Sequence, residues 1–313
     1  MVPSLRFHFA FLSIAFLLSS PGLASSPKRL LMGVIGDSVS AASLADVPIP
    51  NAASSEERVR QWAKNGLSPD FIFENKQFSW ASGTMIESHY EKLRRWLNDS
   101  GEKRPLDVYN AAFPGNTTKA LANQANQVVQ MMELGDYAAL KYVTVLIGSN
   151  DVCDNGPVVG REGQLLANLL QMFQQLASIK QSEPIRILLV GIPRIPDLGA
   201  PQFRQASTLF GLSCEFVRNE ILGFCNSLLS WSTPIEYEAD MQIVDDMNSI
   251  LKESVEVANR EFPNLNVVYT DRLYNTEIPL GDLAADCFHP NKVGQAGIAD
   301  ELWSQQPWFG PSP

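Results

Sequence analysis

Five short apolar runs, set between segments of helical periodicity, constrain this sequence more than any other feature. They are Leu30 to Ile35, Val108 to Ala112, Tyr142 to Ile147, Ile185 to Val190 and Asn266 to Tyr269. A near-continuous apolar run, rather than an alternating one, fits a strand covered on both faces. Between them Leu121, Ala125, Val128, Val129 and Met132 recur at helical spacing, with Thr117 or Thr118 placed as a cap. Leu165, Leu166, Leu169, Leu170, Phe173 and Leu176 repeat the pattern, as do Ile243, Met247, Ile250, Leu251 and Ala258. This alternation predicts an α/β domain with a mainly parallel, five-stranded sheet and helices on both sides. The chain has 313 residues, 45% hydrophobic and 19% charged, which suits one domain with a substantial core over residues 25–313.

Charge narrows the function. With 24 basic and 34 acidic residues the net charge is −10, which argues against a nucleic-acid groove or binding to an anionic membrane surface. Residues 1–24 combine Arg6, an apolar run from Phe7 to Leu18, and small residues at Gly22 and Ala24. That run is too short to span a bilayer and reads as a cleavable secretory signal, with an uncleaved anchor as the alternative. An extracytoplasmic protein is expected, and its mature part keeps two histidines, His89 and His289. An even set of four cysteines in an exported chain favours disulfides, and the expected pairs are Cys214–Cys225, close in sequence, and Cys153–Cys287. Free buried thiols at Cys153 and Cys287 are the alternative. No Cys-x-x-Cys occurs, so neither a zinc knuckle nor a thioredoxin-type motif is available.

Two connections are long. Residues 40–83 contain a charged, helical piece around Glu56 to Lys64. Residues 192–240 begin with Pro193 and Pro196 and carry Leu209, Phe210, Leu212, Phe216, Leu222, Phe224 and Trp231. The second is expected to be a helical insertion, serving either as a lid or acyl-chain wall or as ordinary packing.

In open α/β sheets ligands collect at the carboxyl ends of the strands. Gly36, Asp37 and Ser38 follow the first run, Gly115 the second, Asn150 and Asp151 the third, and Asp286 and His289 the fifth. This set suffices for acyl transfer from an ester. A serine hydroxyl needs a base to take its proton, and His289 can supply it with Asp286 orienting the ring. The N–H groups of Ser38 and Gly115 and the Asn150 side-chain amide are candidate donors to the oxyanion. Gly115 suits a backbone that approaches the substrate closely or adopts φ > 0. Asp37 and Asp151 are expected to support their loops through hydrogen bonds. His89, beside Glu87 and Glu91 on a helix, reads as a solvated surface histidine.

The ordered blocks Gly36-Asp37-Ser38, Asn110-x-Ala112-x-x-Gly115, Gly148-x-Asn150-Asp151 and Asp286-x-x-His289 resemble those of the SGNH (GDSL-type) hydrolases across the mature chain. Val39 departs from the leucine of the eponymous block. The resemblance implies a three-layer α/β/α sandwich of flavodoxin-like topology, with no cofactor and no metal. It implies Ser38 as nucleophile, Gly115 and Asn150 as oxyanion donors, and Asp286 and His289 as the rest of a triad. Phe78-Ser79-Trp80 with Gly83, Tyr109 to Gly115, Thr144 to Cys153, and Asp286 to Pro290 look like the phospholipase B-type branch. That branch implies phospholipid or lysophospholipid acyl esters as substrates and leaves room for transient contact with a lipid surface.

The same triad could serve a carbohydrate deacetylase or an acyltransferase, and long apolar walls rather than a tight pocket would favour fatty acyl chains. Gly-x-Ser-x-Gly is absent, which disfavours an α/β-hydrolase lipase. Gly-x-Gly-x-x-Gly and Walker A are absent too, which argues against a nucleotide cofactor. A secreted lipid- or glycan-binding module that had lost its chemistry should lack a member of the set, and none is missing. Asn98-Asp99-Ser100 and Asn116-Thr117-Thr118 fit glycosylation acceptors.

Overall fold

A computed structural model describes residues 28–46, 75–207, 211–223 and 225–310. The signal-like segment 1–24 and the piece around Glu56 to Lys64 lie outside the described residues. Strands β1 (Leu30–Gly36), β2 (Leu106–Asn110), β3 (Ala139–Leu146), β4 (Ile185–Val190) and β5 (Leu265–Thr270) form one parallel sheet in the order β2-β1-β3-β4-β5. The five apolar runs are these strands, shifted by a few residues at some ends. β2 stops at Asn110 because its side-chain oxygen accepts the Ala112 N–H at 3.0 Å, turning the chain away.

Side chains alternate between two cores, as the period of a strand requires. Leu31, Ile35, Val143 and Val145 face one side. Helices α2 (Leu121–Leu134), α4 (Glu162–Ala177) and α5 (Pro234–Glu261) cover it. Leu30, Met32, Val34 and Tyr142 face the other. Helices α1 (His89–Asp99) and α6 (Lys292–Trp303) cover that side, and the short α3 (Ser149–Asn155) follows β3. The result is a three-layer α/β/α sandwich. Among the described residues no helix is long and apolar enough to cross a membrane.

Three expectations change. Of the two candidate caps, Thr117 is the N-cap of the 3-10 turn Thr118–Ala120 that runs into α2, without a side-chain cap bond, and Thr118 lies inside that turn, its hydroxyl and N–H donated to Asp151 at 2.8 and 2.9 Å. His89 is not solvated. It is fully buried, 3.0 Å from the Tyr142 hydroxyl and edge-on to Trp80 and Trp303, and burial pulls its pKa down to about 3. With Leu93 and Leu97 it makes the buried stripe of α1.

The third concerns the cysteines. The disulfides are Cys153–Cys225 and Cys214–Cys287, with Cα separations of 4.3 and 5.5 Å, and no cysteine is free. Cys214 opens a continuous helical stretch to Leu222. At roughly 1.5 Å of rise per residue, such a stretch carries its far end on the order of 10 Å from Cys214, so closeness in sequence does not set the pairing. Each cysteine of the insertion bonds a distant segment, across 72 and 73 residues.

Candidate active site

From β1 the chain passes outward to β2 and then returns to β3 on the other side, so the connections after β1 and β3 diverge. That divergence opens a crevice at their carboxyl ends. The loop after β1 presses close to β3. A Cβ on Gly36 would lie 2.5 Å from the Leu146 carbonyl and 2.6 Å from the Ser40 hydroxyl, so only glycine fits there. Asp37 is fully buried; its Oδ1 accepts the Val39 N–H at 3.0 Å, and Ser43 N–H donates to the Ser38 carbonyl.

Two buried glutamines clamp this loop from opposite layers. Gln124 on α2 donates to the Gly36 carbonyl at 2.8 Å and accepts its N–H at 2.7 Å. Gln295 on α6 donates to the Val39 carbonyl at 3.0 Å and accepts the Trp80 N–H at 2.8 Å. Sequence reading passed over both. The available signal was a glutamine at an otherwise apolar face position, since Gln124 lies between Leu121 and Val128 on the buried stripe.

Ser38 Oγ lies 2.7 Å from His289 Nε2, and His289 Nδ1 lies 2.5 Å from Asp286 Oδ2. The other carboxylate oxygen accepts the N–H groups of Phe288 and His289 at 3.1 and 3.0 Å, which fixes it against its own loop. Burial opposes charge on the ring, but the carboxylates of Asp286 and Asp37 outweigh it and hold the His289 pKa above its ordinary 6.5. Burial pushes Asp37 from 3.8 up to about 7 against the opposing pull of the Val39 N–H and His289, with Asp151 adding to the rise.

Gly115 adopts φ +77°, and nothing stands within 4 Å of where a Cβ would be. Its glycine supplies backbone conformation rather than room. Asn150, early in α3, donates its side-chain N–H to the Asn116 carbonyl at 2.9 Å, and Asp151 takes both donors of Thr118. These bonds fasten the β3 loop to the segment that carries Gly115. Burial raises the Asp151 pKa despite the Thr118 hydrogen bonds.

The sequence profile of the GDSL-like lipase/acylhydrolases matches residues 32–302. The chain belongs to this family. No curated protein sequence matches it. Similar solved structures include TesA, at 17% identity and TM-score 0.45 over 88% of this chain and 98% of that one. The Clostridium thermocellum family 3 carbohydrate esterase is 12% identical, with TM-score 0.46 over 88% and 94%. Phospholipase A1 from Streptomyces albidoflavus NA297 is 14% identical, with TM-score 0.41 over 89% and 99%.

In this GDSL-like chain a cleft of about 440 Å³ opens beside Ser38 and Asn150. One wall is Pro193, Ile195 and Leu198, the first turn of the 192–240 insertion. The opposite wall is Leu273, Ile278 and Leu283, from the segment after β5, which sequence reading had not singled out. No lysine or arginine is among the described residues that line the cleft. The insertion is thus wall at its start, while Leu228 and Leu229 further along pack into the core.

Proposed function

We propose that the protein hydrolyses carboxylic acyl esters, with Ser38 as nucleophile, His289 as general base and acid, and Asp286 as the group that orients and stabilises the charged ring. The unbroken Ser38–His289–Asp286 chain of contacts, at 2.7 and 2.5 Å, carries this reading. As Ser38 Oγ adds to the ester carbonyl, its proton passes to His289 Nε2 while Asp286 accepts from Nδ1. The oxyanion meets the N–H groups of Ser38 and Gly115 and the Asn150 amide. Collapse expels the alcohol, which takes the proton from His289. Water activated by the same ring then releases the acid.

The volume and mostly apolar lining of the cleft favour a fatty acyl chain over an acetyl group, and phospholipid or lysophospholipid acyl esters are the proposed substrates. Phe113, two residues before Gly115, and Val293, four after His289, are each 56% exposed. They are exposed apolar groups, close in sequence to Gly115 and His289, with which the protein can meet a lipid surface. The signal-like residues 1–24 and the two disulfides support export.

Fluorophosphonate labelling alongside a panel of short to long p-nitrophenyl esters, lysophospholipid, phospholipid and acetylated sugar tests the reading. Label and turnover should both vanish in Ser38→Ala. A folded wild type that takes no label would overturn the enzyme assignment, and a preference for acetyl esters would overturn the substrate class.

A further inference from the structure

Residues 285–289, which carry both Asp286 and His289, lie outside every helix and strand. The loop is pinned at its base, where Ala284 N–H donates to the His289 carbonyl at 2.7 Å and Leu283 bridges Pro290. One residue in it departs from the ordinary backbone regions. Cys287 has φ +61°, in the left-handed region that side chains disfavour. This turn lets one oxygen of Asp286 collect the N–H groups of residues 288 and 289 while the other reaches the His289 ring.

Non-glycine residues hold such a conformation only where surrounding structure enforces it. Here the fully buried Cys287 is bonded to Cys214, itself fully buried at the start of the helical stretch to Leu222. That stretch is anchored in turn: Arg218, one turn beyond Cys214 and 1% exposed, donates to the Leu198 carbonyl at 2.7 Å. The second disulfide reaches a different part of the site, since Cys153 shares α3 with Asn150.

We propose that the Cys214–Cys287 disulfide is a positioning device for the acid–base pair: it holds the left-handed turn at Cys287 that presents Asp286 to His289. The insertion thereby acts on turnover through a covalent tie as well as through the cleft wall. This inference rests on the catalytic reading above.

The test compares Cys214→Ser/Cys287→Ala with Cys214→Ser/Cys287→Gly, leaving Cys153–Cys225 intact. Each is checked for fold by circular dichroism and assayed on a p-nitrophenyl ester across pH. Without the tie, the alanine pair should lose about 10²-fold in kcat, the scale of a small misplacement of reacting groups. Its acid limb should also fall, because Asp286 no longer raises the ring's pKa while burial still lowers it. The groups acting on that ring are Asp286 and Asp37. Glycine adopts the turn freely and should restore about tenfold of the loss.

Wild-type kcat in the alanine pair would overturn the proposal. So would equal losses in both variants with an unmoved limb. Should the variants fail to fold, graded reduction of the wild type with thiol mapping decides: activity should fall in step with opening of Cys214–Cys287 while the circular dichroism persists. Activity surviving with that bond open would overturn it. Turnover that survives Ser38→Ala would instead defeat the catalytic reading itself.

Discussion

Asp37→Asn separates a charge effect from a shape effect at the heart of the site. Asp37 is fully buried; one carboxylate oxygen accepts from Val39, and the other has no hydrogen-bond partner among the described residues. Its pKa of about 7 stands above the 3.8 of the unfolded chain, so the folded state holds the proton more tightly. The resulting stabilisation is fully present below 3.8 and is lost as pH rises through about 7. Three pKa units at about 1.36 kcal/mol each amount to roughly 4 kcal/mol. Asparagine keeps the acceptor and cannot ionise. Its amide nitrogen inherits the unpartnered position, a fixed cost at every pH. The stability of Asp37→Asn relative to wild type should therefore rise by up to about 4 kcal/mol between pH 4 and pH 8, read from denaturant unfolding. The variant also removes one of the two carboxylates that raise the His289 pKa, so the acid limb of kcat/KM should move to lower pH. A stability gap that stays constant over that range would refute the argument from burial.

Further outcomes follow from the same geometry. In the wild type, turnover should climb with pH along a limb centred above 6.5, since the base must be neutral and its pKa is raised; a rate flat from pH 4 to pH 8 would contradict a histidine base. Asp286→Asn should lower kcat by about 10⁴-fold with a native circular dichroism spectrum, because the ring loses its orienting acceptor. Asn150→Ala should lower kcat by about 10²–10³-fold, more than it changes KM, as expected of an oxyanion donor. Leu198→Trp should shift preference toward shorter acyl esters by filling the cleft, measured as a ratio of kcat/KM across a chain-length series.

The fold was legible because a parallel sheet buried on both faces writes itself as continuous apolar runs, and β4 matches its run end for end. That Ser38, Asp286 and His289 meet was legible because each sits a few positions past a strand end or in the last loop. What was not legible depended on three-dimensional neighbours. Proximity in sequence misled for Cys214 and Cys225, since each bonds a segment 72 or 73 residues away. His89 has charged neighbours along the chain, yet its helical spacing to Leu93 and Leu97 places it inside. Thr118 resembled a helix cap, but a carboxylate 33 residues away claimed its hydroxyl. The cleft wall after β5 has no strong periodicity of its own and becomes a wall only through what it faces.

The paired glutamine clamps have a consequence for how such a scaffold can diversify. Gln124 and Gln295 reach the Ser38 turn from the helical layers on either side of the sheet, whereas the cleft walls belong to segments 193–198 and 273–283. The bonds that shape the Ser38 turn and the side chains that shape the cleft thus lie in separate stretches of polypeptide. Mutations can remodel the cleft walls while the clamps on that turn stay as they were.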